Sequence, residues 1–486
     1  VLAAAAASPR AIPFDMDEFA AFHALGCAAH PLSAQYNVFR EGCGQYGLRP
    51  PFLPVALPLR SYLYIGSLPV LPFYPFWRLL DDPVAVRVQG AVFFLVAIVL
   101  AGRLALASFP SAALAACVLP VLAGGFLVDT GPVGLSLVLL FAAWLLLRRA
   151  AQGERPQALA AAAGFLCFLG VWTKLVFAWC LPGLALCAAA ELAGRRADRR
   201  NAILSALAFF VALAGPTALL LLSRTADGTP YYEVLSVGRF SLEARSVGGT
   251  ARGLLGYLWN GSSIAPRSLV FPPSPADRLP LLTAALLVAF GLRHPARRFV
   301  AIGSGAALLT FGVTILSGRA LAAHHLAFAL AFLLPALAAA IRALPRRGAA
   351  LAAASVLLCW SSLGVRWSGA RVDPHSDADK DRLLAWIRES GKDEGAVQLH
   401  SSWGTYYIAH LFGAREEIVL FSRKFAREPA YLEAARDLAA AEKRGVLLVS
   451  GEPERFRPEV AESVLGRPLA EQRFGHWRVL EYGAGE

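Results

Sequence analysis

The sequence predicts a polytopic α-helical membrane protein with a small soluble α/β domain at its C-terminal end, and three observations lead there. Of the 486 residues, 57% are hydrophobic and only 16% charged, whereas a soluble domain carries about a quarter charged residues. Mean hydropathy is +0.52, and apolar runs near the length that crosses a bilayer recur through residues 1–366. Short arginine clusters punctuate those runs, and residues 367–486 turn to a soluble composition. An ordinary cytoplasmic enzyme is excluded.

The formal charge of +12 would suit a nucleic-acid binder, but its distribution argues otherwise. Residues 371–486 hold 17 basic and 20 acidic side chains, and the first 370 residues hold 29 and 14. The excess falls in five clusters: Arg103; Arg148, Arg149 and Arg155; Arg195, Arg196, Arg199 and Arg200; Arg293, Arg297 and Arg298; Arg342, Arg346 and Arg347. Enough apolar sequence for two crossings separates each successive pair, so all five share one side, which the positive-inside rule makes the cytoplasm. This is membrane topology and not a nucleic-acid groove.

Ten spans are expected, at 84–102, 111–128, 132–147, 157–172, 175–192, 202–222, 279–292, 299–316, 322–341 and 349–366. The chain opens on VLAAAAAS, which reads either as a signal-peptide end or, as the parity favours, as the tail of a first helix entering from the cytoplasm. Both readings put the loop 9–80 outside. The turn at Asp129, the turn at Thr173 and Lys174, the long loop 223–278, the turn Arg319–His325 and the C-terminal domain then share that side. A site built from outer loops draws on these segments.

In the C-terminal domain, DKDRLLAWIRES and EPAYLEAARDLAAAEKRG have helical periodicity, and AVQLHSS, EIVLF and VLLVSG read as strands. Strands alternating with helices predict a parallel sheet. No Gly-rich loop follows a strand, so nucleotide binding has no support there. Cys117, Cys167, Cys180, Cys187 and Cys359 fall in expected spans as small apolar fillers. Cys27 and Cys43 lie in the first outer loop, where a disulfide is permitted and not required.

Candidate chemistry clusters on the outer side. In PFDMDEFAAFHAL, Asp15 reads as a helix cap, and Asp17 and Glu18 are candidate functional acids. The following Pro/aromatic stretch, RPPFLPVALPLRSYLYIGSLPVLPFYPFWRLL, is too interrupted for a plain span; its aromatics, Tyr62 and Tyr64 among them, form an interfacial belt or wall a lipid-facing cavity. Asp129, the only acid between Asp82 and Glu154, is either functional or a cap for the next span. Lys174 interrupts an apolar stretch and suits a lipid phosphate or simple snorkelling. Arg319, His324 and His325 suit phosphate better than metal, since adjacent histidines on a helix diverge and no third ligand is evident. Tyr231, Tyr232, Arg239, Tyr257 and Trp259 line a sugar site or an ordinary surface loop.

These residues resemble a known family. DMDEFAAFHAL with the Pro/aromatic stretch, DPVAVRVQGAVFFLVAIVLAGRLA, FLVDTGPVGLSLVLLFAAWLLLRR, AAGFLCFLGVWTKLVFAWCLPGL and AHHLAFALAFLLPALAAA occur in the order found in the lipid-dependent GT-C glycosyltransferases. That superfamily includes the protein O-mannosyltransferases and the lipid A aminoarabinose transferases, and the similarity covers about 340 residues. It implies a GT-C-like membrane domain over 1–366, with Asp17 as general base of the acidic pair Asp17–Glu18. It further implies Asp129 as the acid of the second short outer loop, Thr173 and Lys174 as the Thr-Lys facing the donor, and Arg87 as the arginine opening the second span. Two elements depart. The family's Lys-Pro-Pro-Leu-Tyr-like element appears here only as Arg49-Pro50-Pro51-Phe52 or as Leu57-Pro58-Leu59 followed by Tyr62 and Tyr64, and a late-span tyrosine is replaced by His325.

The function expected on this resemblance is transfer of a sugar from a polyprenyl-phosphate donor to a lipid, glycan or protein acceptor outside the cytoplasm of a bacterial inner membrane. The leaving phosphate is already a stable anion, so one carboxylate base and cations to hold the phosphate suffice for inversion. Lys174, Arg319, His324 and His325 would hold phosphate; Tyr62, Tyr64, Tyr231 and Tyr232 would contact sugar or acceptor. No cofactor is required. The rival expectation, a lipid or solute transporter or flippase, calls for inverted repeats and mid-span charges, and the ionisable residues lie at span ends instead.

Overall fold

The computed structural model describes residues 47–54, 57–62, 65–69, 84–119, 122, 132–193, 199–225, 228–233, 247–259, 269–270, 274–317, 325–366, 371–372, 378–401, 405, 419–421, 429–451 and 457–483. Asp15, Asp17, Glu18, Cys27, Cys43, Tyr64, Asp129, Arg239, Arg319 and His324 lie outside them.

Two small antiparallel pairs, β1 (Gly47–Leu48) with β2 (Leu57–Pro58) and β3 (Arg60–Tyr62) with β4 (Ile65–Gly66), precede the helices. The helical part runs α1 (Val84–Ala105), α2 (Phe109–Val118), α3 (Val133–Ala151), α4 (Pro156–Thr173), a 3-10 turn (Leu175–Cys180), α5 (Leu181–Ala193) and α6 (Arg199–Leu222). It continues through α7 (Val247–Trp259), β5 (Leu269–Val270), a 3-10 turn (Pro275–Arg278), α8 (Leu279–Leu292), α9 (Arg297–Leu316), α10 (His325–Leu330), α11 (Leu333–Ala343) and α12 (Arg346–Arg366). Among the described residues seven helices are long and apolar enough to cross a membrane: α1, α3, α4, α5 with its 3-10 turn, α6, α8 with its 3-10 turn, and α9. The chain is a helical membrane protein.

The other three expected spans show where pattern and packing part. Of the span expected at 111–128, residues 111–118 are helical as part of α2 and most of the remainder lies outside the described residues; the last is α12. The span expected at 322–341 is broken between α10 and α11, where Ala331 and Leu334 make three-residue hydrogen bonds instead of helical ones. Pro335 explains the break: it lacks an N–H and its ring collides with the carbonyl four residues back, that of Ala331. A second interruption follows α4. Lys174 is extended (φ −156°, ψ 121°), and the Phe177 ring folds back onto Gly170, where any Cβ would lie 2.5 Å from Phe177 Cζ.

Helix α11 is apolar all round and buried from Leu334 to Ile341, as a central helix should be. It packs against α1, α2, α8 and α9, and small residues bring the backbones close. A Cβ on Gly303 of α9 would lie 2.8 Å from Ala336 Cβ and 2.9 Å from the Phe332 carbonyl. Close contact of this kind replaces the hydrophobic effect as the force joining helices in lipid. Gly303→Ala is therefore expected to destabilise the helix set by about 1–3 kcal/mol. Gly312→Ala on the same helix, where nothing among the described residues lies within 4 Å of the added methyl, should keep or slightly raise the thermal midpoint in detergent. Equal midpoints for the two variants would refute the close-packing account.

The helix ends sort by charge. Arg148 Nη1 donates to the Leu104 carbonyl (2.6 Å), Arg342 Nη1 to Leu106 (2.6 Å) and Arg298 Nη2 to Ala190 (2.7 Å), while Arg148 Nε lies 3.7 Å from Glu191 Oε1. These bonds satisfy carbonyls that helix C-termini leave open, and they gather arginines of the first, second, fourth and fifth clusters at one end. The basic end is thus a physical feature of the fold.

The C-terminal unit follows β6 (Arg371–Val372), which pairs with β5. It contains α13 (Ala378–Glu389), α14 (Lys392–Gly395), β7 (Ala396–His400), β8 (Val419–Phe421), α15 (Pro429–Glu442), β9 (Gly445–Ser450), α16 (Pro458–Leu465), β10 (Ala470–Phe474) and β11 (Trp477–Tyr482). The sheet order is β10-β11-β9-β7-β8. The expected parallel arrangement is found for β8-β7-β9, and the sheet is mixed because a C-terminal hairpin adds β11 and β10 antiparallel. Burial pushes the Tyr482 phenol on β11 up to about 12.

On the hairpin, hydrogen bonds from Arg478 and Arg473 to Glu471 hold its carboxyl below the usual carboxylate range. A lowered folded pKa contributes stability that is present above the unfolded pKa and lost as pH falls through the folded one. The protection factors of the β10–β11 amides, corrected for the intrinsic exchange rate at each pH, should therefore fall on acidification, and Glu471→Gln should remove that pH response at a cost of about 0.5 kcal/mol at neutral pH.

Candidate functional site

The end opposite the basic one is assembled from segments far apart in sequence. Arg49 and Arg224 exchange backbone hydrogen bonds of 2.7 and 2.9 Å, joining the first loop to the long one. Trp172 Nε1 donates to the Leu59 carbonyl (2.5 Å), and Gly66 sits so close that a Cβ would be 1.9 Å from the Trp172 carbonyl oxygen. Gln89 Nε2 at the start of α1 donates to the Pro69 carbonyl. With β5 on β6, the first loop, the Thr173–Lys174 junction, the long loop and the start of the C-terminal unit lie together. The sequence parity required these segments to share a side.

Two cations are buried at this end. Lys174 is 0% exposed and Arg87, on the first turn of α1, is 1% exposed. Burying a lysine costs several kcal/mol unless anions or dipoles meet it. Thr173 is also fully buried, and its Oγ1 has no hydrogen-bond partner among the described residues. An unsatisfied buried hydroxyl is unfavourable, and an incoming anion or carbonyl oxygen would satisfy it. The extended backbone at Lys174 sets this pair where α4 stops and the 3-10 turn begins.

His325 belongs to the same neighbourhood. Its ring meets Trp179 of the 3-10 turn edge-on, with centroids 5.4 Å apart, and Cys180 Sγ donates to the Phe328 carbonyl of α10 at 3.6 Å. Helix α7 of the long loop covers this contact, with Leu254 packed on Leu326 beside Trp179 and Tyr257. Two of the residues expected to hold phosphate, Lys174 and His325, therefore sit on adjoining segments.

Tyr231 and Tyr232, adjacent in sequence, differ in exposure. Tyr231 is buried and its N–H donates to the Ser223 carbonyl (2.8 Å), whereas Tyr232 is 46% exposed and its hydroxyl donates to Glu233 Oε1 (3.1 Å). The Glu233 carboxylate raises the Tyr232 pKa through that bond. Tyr62 lies on β3. Trp259 carries the Arg278 guanidinium 4.7 Å above its ring, and Asp277 closes a capping box with Ser274. The sequence reading passed over Trp172, which clasps the first loop; its place beside Thr173 was the available signal. Among the described residues no group of His, Cys, Asp or Glu could hold a metal.

Comparison with protein-family models, with curated proteins and with solved structures found no match.

Proposed function

We propose that the chain is an integral membrane glycosyltransferase of GT-C type, which moves a sugar from a polyprenyl-phosphate donor to an extracytoplasmic acceptor. The observation that carries the reading is the fully buried Thr173–Lys174 pair at the end opposite the arginine clusters. A buried cation at a membrane boundary suits a lipid phosphate, and the adjacent Thr173 hydroxyl, which has no hydrogen-bond partner among the described residues, would donate to the same group. The contact of α10 with the following turn brings His325 within the same region.

In this mechanism Asp17 removes the proton from the acceptor hydroxyl as its oxygen attacks the anomeric carbon. The bond to phosphate breaks with inversion, and the electron pair leaves with the phosphate. Lys174, Thr173 and His325, with Arg319 and His324, stabilise the departing anion, while Glu18 or Asp129 orients the acceptor or Asp17. The arginine-rich end faces the cytoplasm of a bacterial inner membrane, and the C-terminal unit shapes access for the acceptor.

Liposomes holding the full-length protein, offered a panel of polyprenyl-phosphate sugars with membrane extract as acceptor, test the reading. Sugar transfer or release by the wild type is the expected result. No turnover of any donor, together with lipid or solute movement that Asp17→Asn leaves intact, would make the protein a transporter instead.

A further inference from the structure

We infer that a groove at the basic end, between α4, α5 and α6, is a binding site for an anionic membrane phospholipid, with its tails in the groove and its phosphate on arginines at the mouth. The cavity measures about 660 Å³, well within the range of small-molecule sites. Ala160 of α4, Leu184 and Ala188 of α5, and Phe209 and Phe210 of α6 line it. Helix α6 is held by α4, where Gly164 lets the Phe209 carbonyl approach to 2.2 Å of where a Cβ would stand. The apolar length of α6 otherwise faces outward, with Leu204, Leu207 and Val211 exposed. The groove is therefore bounded on its outer side by a single helix whose surroundings are lipid.

Its polarity has two ends, as a phospholipid's does. At the mouth, Gln157 Nε2 donates to Asn201 Oδ1 (3.1 Å). Arg149, Arg155 and Arg200 are exposed and directly precede the lining residues Ala150, Pro156 and Asn201. Two acids lie nearby: Glu154 is exposed, and Glu191 faces Arg148. Positive charge therefore prevails, as in basic pockets between membrane helices that take anionic headgroups. Deeper in the groove, the Ser205 Oγ is buried with no hydrogen-bond partner among the described residues. A lipid ester carbonyl would accept from it. A neutral solute would leave the arginines unused, and a soluble anion would leave the apolar walls uncovered.

This site lies at the opposite end from Lys174 and stands or falls apart from the proposed transfer reaction. The test uses full-length protein in detergent, delipidated and titrated with dioleoyl phosphatidylglycerol or dioleoyl phosphatidylcholine, with bound lipid read by native mass spectrometry. Phosphatidylglycerol is expected to bind about tenfold or more tightly than phosphatidylcholine, and the exposed-site variant R149Q/R155Q to lose about thirtyfold of that affinity. Ala188→Trp, which fills the groove, should abolish retention of both lipids while the protein elutes as wild type. Equal affinity for the two lipids, or unchanged binding in R149Q/R155Q, overturns the proposal. Should Ala188→Trp misfold, R149Q/R155Q still decides, because its side chains stand in solvent.

Discussion

Asp17→Asn is expected to lower sugar transfer by about 10²–10⁴-fold, the range for removing a general base. Asparagine keeps the size and one carbonyl of aspartate but cannot take the acceptor proton, so kcat should fall while the KM for the polyprenyl-phosphate donor stays near the wild-type value. Solvent nucleophiles need the same base, so donor hydrolysis should fall in parallel. The acidic partner supplies the control: Glu18→Gln, in an orienting role, should cost less and leave the pH profile of kcat in place. If Asp17→Asn retains most of its activity while Glu18→Gln or Asp129→Asn loses it, the base has been misassigned. If all three are active, the single-carboxylate mechanism fails.

Lys174→Met is expected to reduce kcat by about 10²–10³-fold, the usual loss when one preorganised stabiliser of developing charge is removed. Methionine retains most of the stem, so the 0% exposed site stays filled. Two readouts separate a phosphate-binding lysine from one that merely balances a buried acid. Affinity for polyprenyl phosphate itself should weaken, and Thr173→Val, which deletes the neighbouring buried hydroxyl, should weaken it in the same sense by a smaller factor. A purely structural Lys174 would lower the thermal midpoint by an amount typical of a broken buried pair, and the folded fraction would keep its kcat and its affinity for polyprenyl phosphate. Lys174→Arg should not restore full activity, since a planar guanidinium does not fit a cavity closed around an ammonium.

Two residues of the candidate site stood out before any fold was known, because charge inside an apolar run is conspicuous, whereas Asp17, Glu18, Asp129, Arg319 and His324 lie outside the described residues. Lys174 and His325 were singled out on that ground, and their adjoining segments now pack through Trp179. The tyrosines illustrate the opposite case: Tyr231 and Tyr232 look equivalent as neighbours in a polar loop, yet the hydrogen bond from Tyr231 N–H to Ser223 turns one inward and leaves the other in solvent.

What the sequence determined by itself is the membrane character of the chain, the common side of its arginine clusters, and the central strands of the C-terminal sheet. These follow from transfer free energies and periodicities that each short segment carries alone. Only the tertiary structure decided that Lys174 is sealed from solvent, that α11 is the hub of the helix set, that β10 and β11 convert a parallel sheet into a mixed one, and that an apolar groove opens beside α6. Those outcomes depend on partners distant in the chain: Gly303 meeting Ala336, Gly66 meeting Trp172, and Gly164 meeting the Phe209 carbonyl. A glycine's spacing in sequence carries no trace of which backbone will press against it, and it is that approach which sets cavity, burial and site.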